Sequence, residues 1–370
     1  MKSVAVICEF NPFHKGHALL AEQIRKAYPE HVVIAIMSGN TVQRGDFAIF
    51  DKYERAKIAT KNGFDAVFEL PFPFSCSAGE QFARAGVYIA NALGASVLAF
   101  GSESGDLEEI CECAQNLDDP EFIMNMREYA ERNRDTSVIM ARENAYLTYY
   151  GKQLPLGSND ILAIEYIRAL AVTLYPIEPF VIHRTENFRA TDARVAIKTK
   201  NGAEINRLLP NAELGEVNLG LAGMSDFILG SLRADMREDN GNGIVNALKA
   251  CAKRAGGFEV FTSLLPTKTY TMARLRREII AYLLGVTDND KNESPEYTVL
   301  LAANKTGQKY LSETKKSIGI PVLTKLSDSK TLNEVGRRQL DKQIMADSIY
   351  CLGYNHSVNP IPFKTPYIEK

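Results

Sequence analysis

Up to about residue 105, short apolar runs rich in β-branched residues alternate with helical segments. SVAVICEF, HVVIAIMSG, FDAVFELP and ASVLAFGSESGD are separated by HALLAEQIRKAYP, DKYERAKIATKNG and SAGEQFARAGVYIANALG. A run that is apolar at consecutive positions has no solvent face, so it belongs in a parallel sheet covered by helices on both sides. Pro29 and Gly63 close the first two helices, and proline stops the third strand. The β-α-β-α-β rhythm predicts an α/β fold built on a doubly wound parallel sheet.

The rhythm fades after Leu107. LEEICECAQNL and the long polar stretch PEFIMNMREYAERNRDTSVIMARENAYLTYYG read as helix, SNDILAIEYIRAL as a helix with an Asn-Asp start, and IEPFVIHR as one more strand able to rejoin the sheet. ATDARVAIKTKN and GAEINRLLP look like short helices, and the first domain is expected to span residues 1–210. Residues 211–370 read as a second, mostly helical domain with strand-like segments at YTVLLAAN and IPVLTKL. With 370 residues, 45% of them hydrophobic, the chain can fill two cores. A net charge of −2 advertises no overall basic excess toward nucleic acid. The six cysteines are scattered, with only a C-x-C pair, which favours a reduced protein over a zinc knuckle. The amino-terminal apolar run meets Glu9 and Pro12, too early for a signal peptide or a bilayer span, so a soluble cytoplasmic protein is expected.

The candidate chemistry lies where the first strand meets the first helix, in FNPFHKGH. Ligands of open α/β sheets collect beyond the carboxyl ends of the strands, and a helix N-terminus offers unpaired N–H groups and partial positive charge to phosphate oxygens. His14 and His17, three residues apart in the first turn, can point the same way. As neutral or cationic imidazoles they would stabilise charge building on a leaving pyrophosphate. Gly16 would leave room for close backbone approach to an anion. A capping or solvent contact is the plainer alternative for either histidine. No further histidine or cysteine cluster stands nearby, so zinc is not expected.

FNPFHKGH resembles the H-x-G-H signature of the nucleotidyltransferase superfamily related to class I aminoacyl-tRNA synthetases. Together with MSGNTVQRGDFAIFDKYERAKIATKNGFDAVFELPF, AFGSES and SNDILAIEYIRAL, it is similar to the bacterial tRNA(Met) cytidine acetate ligase family over most of residues 1–200. The run Q-R-G-x-x-A-x-x-D-K-x-x-R is not shared by generic adenylyltransferases. The resemblance implies a Rossmann-like, HIGH-type nucleotidyltransferase sheet and a two-step ligase. Acetate and ATP, with Mg2+ inferred from ATP chemistry, would give acetyl-AMP, and acetyl would pass to N4 of the wobble cytidine of elongator tRNA(Met).

By the same resemblance His14 and His17 serve the phosphates, and Ile7, Phe10, Asn11, Pro12, Phe13, Gly16 and Leu20 line the ATP site around them. Gly101 lets the nucleotide pack on bare backbone, Asn159 reads base or ribose, and Arg184 grips phosphate. Thr191 and Arg194 occupy the place of a second phosphate-clamping signature, with Arg189 where a small hydroxyl is usual. Gln43 and Arg44 would face acetate or the adenylate, while Lys52 and Arg55 read as a charged helix face.

Basic runs in the second half are candidates for tRNA: Arg274, Arg276 and Arg277; Lys315 and Lys316; Arg337 and Arg338. Tyr270, Tyr310 or Tyr354 could stack an unpaired base. On this reading, charge reversal at Arg276 and Arg277 weakens tRNA binding and leaves acetyl-AMP formation unaltered. Two alternatives stay open: a small-molecule adenylyltransferase of the pantetheine-phosphate or nicotinate-mononucleotide type, and a non-catalytic nucleotide- or RNA-binding protein.

Overall fold

The computed structural model describes residues 1–133, 138–155, 157–184, 188–210, 214–234, 243–356, 358 and 363–369. The strands are β1 (Ser3–Cys8), β2 (Val32–Ser38), β3 (Thr41–Val42), β4 (Asp46–Phe47), β5 (Ala66–Leu70), β6 (Val97–Ser102), β7 (Glu178–His183), β8 (Thr298–Ala303), β9 (Val322–Leu323) and β10 (Tyr367–Ile368). The helices through the first 210 residues are α1 (Lys15–Ala27), α2 (Lys52–Lys61), α3 (Gly79–Ala92), α4 (Leu107–Asp118), α5 (Pro120–Arg132), α6 (Val138–Tyr150), α7 (Ser158–Leu170), α8 (Ala190–Lys198) and α9 (Gly202–Leu208). Beyond them follow α10 (Ser225–Ala234), α11 (Ile244–Arg254), α12 (Phe258–Leu264), α13 (Met272–Leu283), α14 (Asp288–Asn292), α15 (Lys305–Thr314) and α16 (Glu334–Tyr350). The long polar stretch after α4 carries α5 and α6.

The main sheet runs β10-β8-β5-β2-β1-β6-β7, with β9 beside β8, and all its pairs are parallel except β5 with β8. Successive residues of β1 serve opposite cores, as a strand covered on both faces must. Ala5 and Ile7 pack with Ile34, Ile36, Phe68 and Phe100 under α3, α4 and α7, whereas Val4 and Val6 pack with Val33, Ala35 and Met37 under α1 and α2. β7 joins β6 along its whole length, as IEPFVIHR suggested.

Three strands from beyond residue 210 belong to this same sheet, so the second half of the chain is divided. β8 extends the sheet from β5, α15 covers one face through the buried Tyr310, and α10–α13 form a separate core joined by the end of α16. That core packs Ile228, Leu232, Leu248, Phe261 and Ile279 against Phe47, Phe72 and Tyr350. Strand order reverses at β1: the chain moves outward through β2 and β5 on one side, then returns to β6 and β7 on the other. The crevice beyond β1 and β6 is where such sheets take ligands, and α1 starts there.

Candidate active site

After Cys8 the chain turns through Glu9–Phe13 into α1. Phe10 has φ of 46°, a left-handed conformation uncommon for a bulky residue. Ring contacts hold it there, with Phe13, His17 and Phe64 at centroid separations of 4.8, 4.8 and 5.1 Å. Phe10 and Phe13 are therefore the buried floor beneath the imidazoles. Ile7 points into the core against Gly86, and Leu20 is partly buried on the opposite core.

His14 caps α1 and His17 lies one turn on, their rings stacked at 3.7 Å and 20°. The His14 backbone N–H donates to His17 Nδ1 at 3.1 Å, which leaves His17 its proton on Nε2. Burial, then the charges of Arg184 and Arg194, push the His14 pKa down to about 3, and burial, then His14 and Arg184, hold His17 well below its usual range. Both rings are thus neutral near neutral pH in the ligand-free chain. His14 Nδ1 is buried with no hydrogen-bond partner. A Cβ at Gly16 would sit 2.9 Å from His14 Cε1, 3.0 Å from its Nδ1 and 3.1 Å from Phe188 Cβ, so the His14 ring also depends on glycine here. The His14 ring itself fills the space that glycine leaves.

Positive charge comes instead from arginines. Arg184, following β7, lies over Gly101, where a Cβ would be 2.8 Å from its stem, and its Nη1 donates to Asn159 Oδ1 at 3.4 Å. The Asn159 and Asp160 backbone N–H groups at the start of α7 are capped by the Glu103 carboxylate. Arg194 on α8 donates to Asn11 O at 2.7 Å and to Thr191 Oγ1 at 3.0 Å, tying α8 to the histidine loop. Asn11 Oδ1 accepts from the Ile49 N–H at 2.8 Å. Arg44 is exposed on the turn between β3 and β4, and its charge lowers the pKa of both Arg184 and Arg194, though burial is the larger cause in each. The Gln43 N–H donates to Glu9 Oε1 at 2.6 Å, and its carbonyl accepts from Arg277 Nη1 at 3.0 Å.

The charged face expected on α2 is buried. Lys52, 1% exposed, donates to Glu69 at 2.8 and 3.0 Å and to Asp347 of α16 at 2.7 Å, and Asn40 bridges the Lys52 N–H and Asp347. Fully buried Arg55 donates to the carbonyls of Glu9, Ser38, Gly39 and Phe50. It thereby fixes the two strand ends that flank the site. Glu9, Arg55 and Glu103 were not among the expected site residues; the one signal for Glu9 was an acid closing an otherwise apolar strand.

The basic candidates for tRNA fall on α13, just past α15, and on α16. Arg274 stacks on Tyr270 at 5.0 Å, Arg277 is spent on Gln43, and Arg338 pairs with Glu293. Arg337 is exposed. Lys315 and Lys316 are exposed near Gly319, whose N–H meets Ala92 O at the amino edge of the sheet, opposite the histidines. Tyr310 is core, its hydroxyl bonded to Leu93 O, and cannot stack a base. Among the described residues no three His, Cys, Asp or Glu groups converge as metal ligands, and no helix is long and apolar enough to cross a membrane.

The model of the HIGH Nucleotidyl Transferase family matches residues 1–362. The chain belongs to that family. It is 32% identical to the tRNA(Met) cytidine acetate ligase of Acetivibrio thermocellus over 96% of either chain, and 32% identical to that of Fusobacterium nucleatum over 99% of this chain and 98% of the relative. The same enzyme of Bacillus subtilis is 30% identical over 95% of this chain and 92% of its own. A crystal structure of Thermotoga maritima TmcAL bound with alpha-thio ATP superposes with a TM-score of 0.92 and 27% identity over 100% of both chains.

Proposed function

We propose that the protein is an ATP-dependent tRNA(Met) cytidine acetate ligase. An acetate oxygen attacks the α-phosphorus of ATP, the bond to the β-phosphate bridge breaks, and pyrophosphate leaves with acetyl-AMP formed. N4 of the wobble cytidine of elongator tRNA(Met) then attacks the acetyl carbonyl, the bond to AMP breaks, and the amine loses a proton. The observation that carries this reading is the stacked, neutral His14–His17 pair at the start of α1, ringed by guanidiniums at the switch point of the sheet. Such a site offers donors and fixed charge to a triphosphate and no nucleophile of its own, which suits a reaction whose nucleophile is the substrate carboxylate. The named relatives support the choice of acetate and tRNA.

On this reading His14, His17, Arg184 and Arg194 hold the phosphates, Asn159 and Gly101 flank the nucleoside, and Gln43 and Arg44 face acetate. Magnesium accompanies ATP as substrate; the described residues provide no donor set for a resident ion. Residues 211–370 present the tRNA, with Arg274 on α13 and the exposed Arg337 the first side chains to test. A tRNA substrate also implies a cytoplasmic enzyme. The test is incubation with ATP, labelled acetate and bulk bacterial tRNA, and the expected product is N4-acetylcytidine in tRNA. Pyrophosphate release that needs a phosphorylated metabolite and no tRNA would instead indicate a small-molecule adenylyltransferase. ATP binding without turnover would indicate a sensor.

A further inference from the structure

We infer that Arg276, a side chain of the helical core, binds the β- and γ-phosphates of ATP and so completes the triphosphate site from outside the α/β layers. The inference rests on reading the histidine crevice as an ATP site. It moves Arg276 from the tRNA surface to the first half-reaction.

The placement follows from how α13 meets the turn after β3. Gly45 has φ of 74°, and a Cβ there would lie 2.5 Å from Arg277 N and 2.8 Å from both Ala273 O and Arg276 Cβ. The helix therefore seats backbone against backbone on this turn, and the Arg277 bond to Gln43 O locks it. Arg276 is fixed by the same contact beside Arg44 and Asp46. Its guanidinium has no acceptor at hydrogen-bond distance: Asp46 Oδ2 stands 3.9 Å away, while Asp46 Oδ1 accepts from the N–H groups of Phe47 and Leu221 at 2.9 Å each. Arg276 Nε is buried with no partner, although the side chain as a whole is 37% exposed. The terminal nitrogens, on the exposed part of the side chain, are therefore the ones free to donate to a ligand's acceptors.

Charge balance gives that ligand its chemistry. In the ligand-free chain burial and neighbouring charge hold both histidines neutral, so the fixed positive charge beside them is that of the arginines. Arg184 and Arg194 already donate to Asn159, Asn11 and Thr191. Among the described residues, Arg44 and Arg276 are the members of this group that donate to no protein acceptor, and the Arg276 charge is felt at Arg194. Arg44 is within electrostatic reach of both Arg184 and Arg194, and Arg276 of Arg194, so the four guanidiniums form one cluster beside the histidine loop. With the nucleoside between Gly101 and Asn159 and the α-phosphate at the histidines, the β- and γ-phosphates fall to the two cations that have no protein acceptor, Arg44 and Arg276.

Equilibrium binding of ATP and of AMP to the full chain, without acetate or tRNA, tests this. Arg276→Ala should weaken ATP by about ten- to a hundredfold and leave AMP binding unchanged, and Arg276→Lys should recover part of the loss. Unaltered ATP affinity in Arg276→Ala would overturn the assignment. So would an equal loss for AMP, which marks a merely structural role. Acetate-dependent exchange of pyrophosphate into ATP by the wild-type chain tests the ligase reading separately: its absence, with the ATP-against-AMP contrast intact, would remove acetate and leave Arg276 in place.

Discussion

Replacing Gly16 by alanine separates what the histidine pair needs from what the fold needs. A Cβ at this position meets His14 Cε1 at 2.9 Å, whereas ordinary contact begins at 3.4 Å, so the ring must move by at least 0.5 Å. It cannot retreat toward His17, already stacked at 3.7 Å, and Phe188 Cβ at 3.1 Å closes another direction. The backbone tolerates the change, because Gly16 is helical and outside the left-handed region, and alanine gains about 0.5–1 kcal/mol over glycine within a helix. That gain offsets much of the contact strain, and net stability should change by no more than about 1 kcal/mol. A displacement approaching 1 Å of a group that acts in the transition state costs up to about a hundredfold in rate. We therefore expect acetate-dependent exchange of pyrophosphate into ATP to fall about ten- to a hundredfold while urea unfolding stays near wild type. ATP affinity should change far less than turnover, since the displaced group is a neutral donor and the cations remain. Undiminished exchange would refute the role assigned to His14 and its glycine cradle. Loss of ATP binding in proportion to turnover would point to close anion approach as the reason for glycine.

Two further outcomes follow from burial. His14, pushed from 6.5 to about 3, stays neutral in the folded chain while the unfolded chain takes up a proton. Its contribution to stability is full above about pH 6.5 and is lost as pH falls toward about 3, at about 1.4 kcal/mol per pH unit. Glu69, which burial pushes up to about 7, slopes the opposite way between its ordinary 4.5 and that value, so the readout is a difference: His14→Gln should lose less stability than wild type between pH 6.5 and 5 in urea titrations. Parallel titrations would show that His14 is not buried as described. Lys52→Met should cost about 3–5 kcal/mol, because Glu69 and Asp347 would be left buried without their cation. A variant as stable as wild type would mean that the two carboxyls share a proton and need no ammonium.

What was legible in the sequence was what nearest neighbours decide. β-Branched runs, helix stops and the strand-to-helix position of H-x-G-H depend on a few consecutive residues, and β1, α1, β2, α2, β5, α3, β6 and β7 appear where those signals put them. YTVLLAAN was readable as a strand, but nothing local says that it lies antiparallel against β5. DKYERAKIATKNG reads as a solvated helix because the partner that buries Lys52 is Asp347, 295 residues further on. A separation of 234 residues likewise hides Arg277, whose acceptor is a backbone carbonyl with no sequence signature. Gly16 and Gly101 stood out as glycines, but that a Cβ there would meet His14 and Arg184 depends on ring stacking and on a strand pairing that local sequence does not show.

The central claim is that the crevice at the start of α1 cuts ATP between its α- and β-phosphorus atoms with acetate as the attacking group. Turnover with ATP, tRNA and acetate labelled with heavy oxygen reads this directly by mass spectrometry. The account predicts one labelled oxygen in AMP and none in pyrophosphate, with both products strongly reduced in His14→Ala and His17→Ala. Label in phosphate or pyrophosphate, unlabelled AMP, or undiminished turnover in both variants would contradict it.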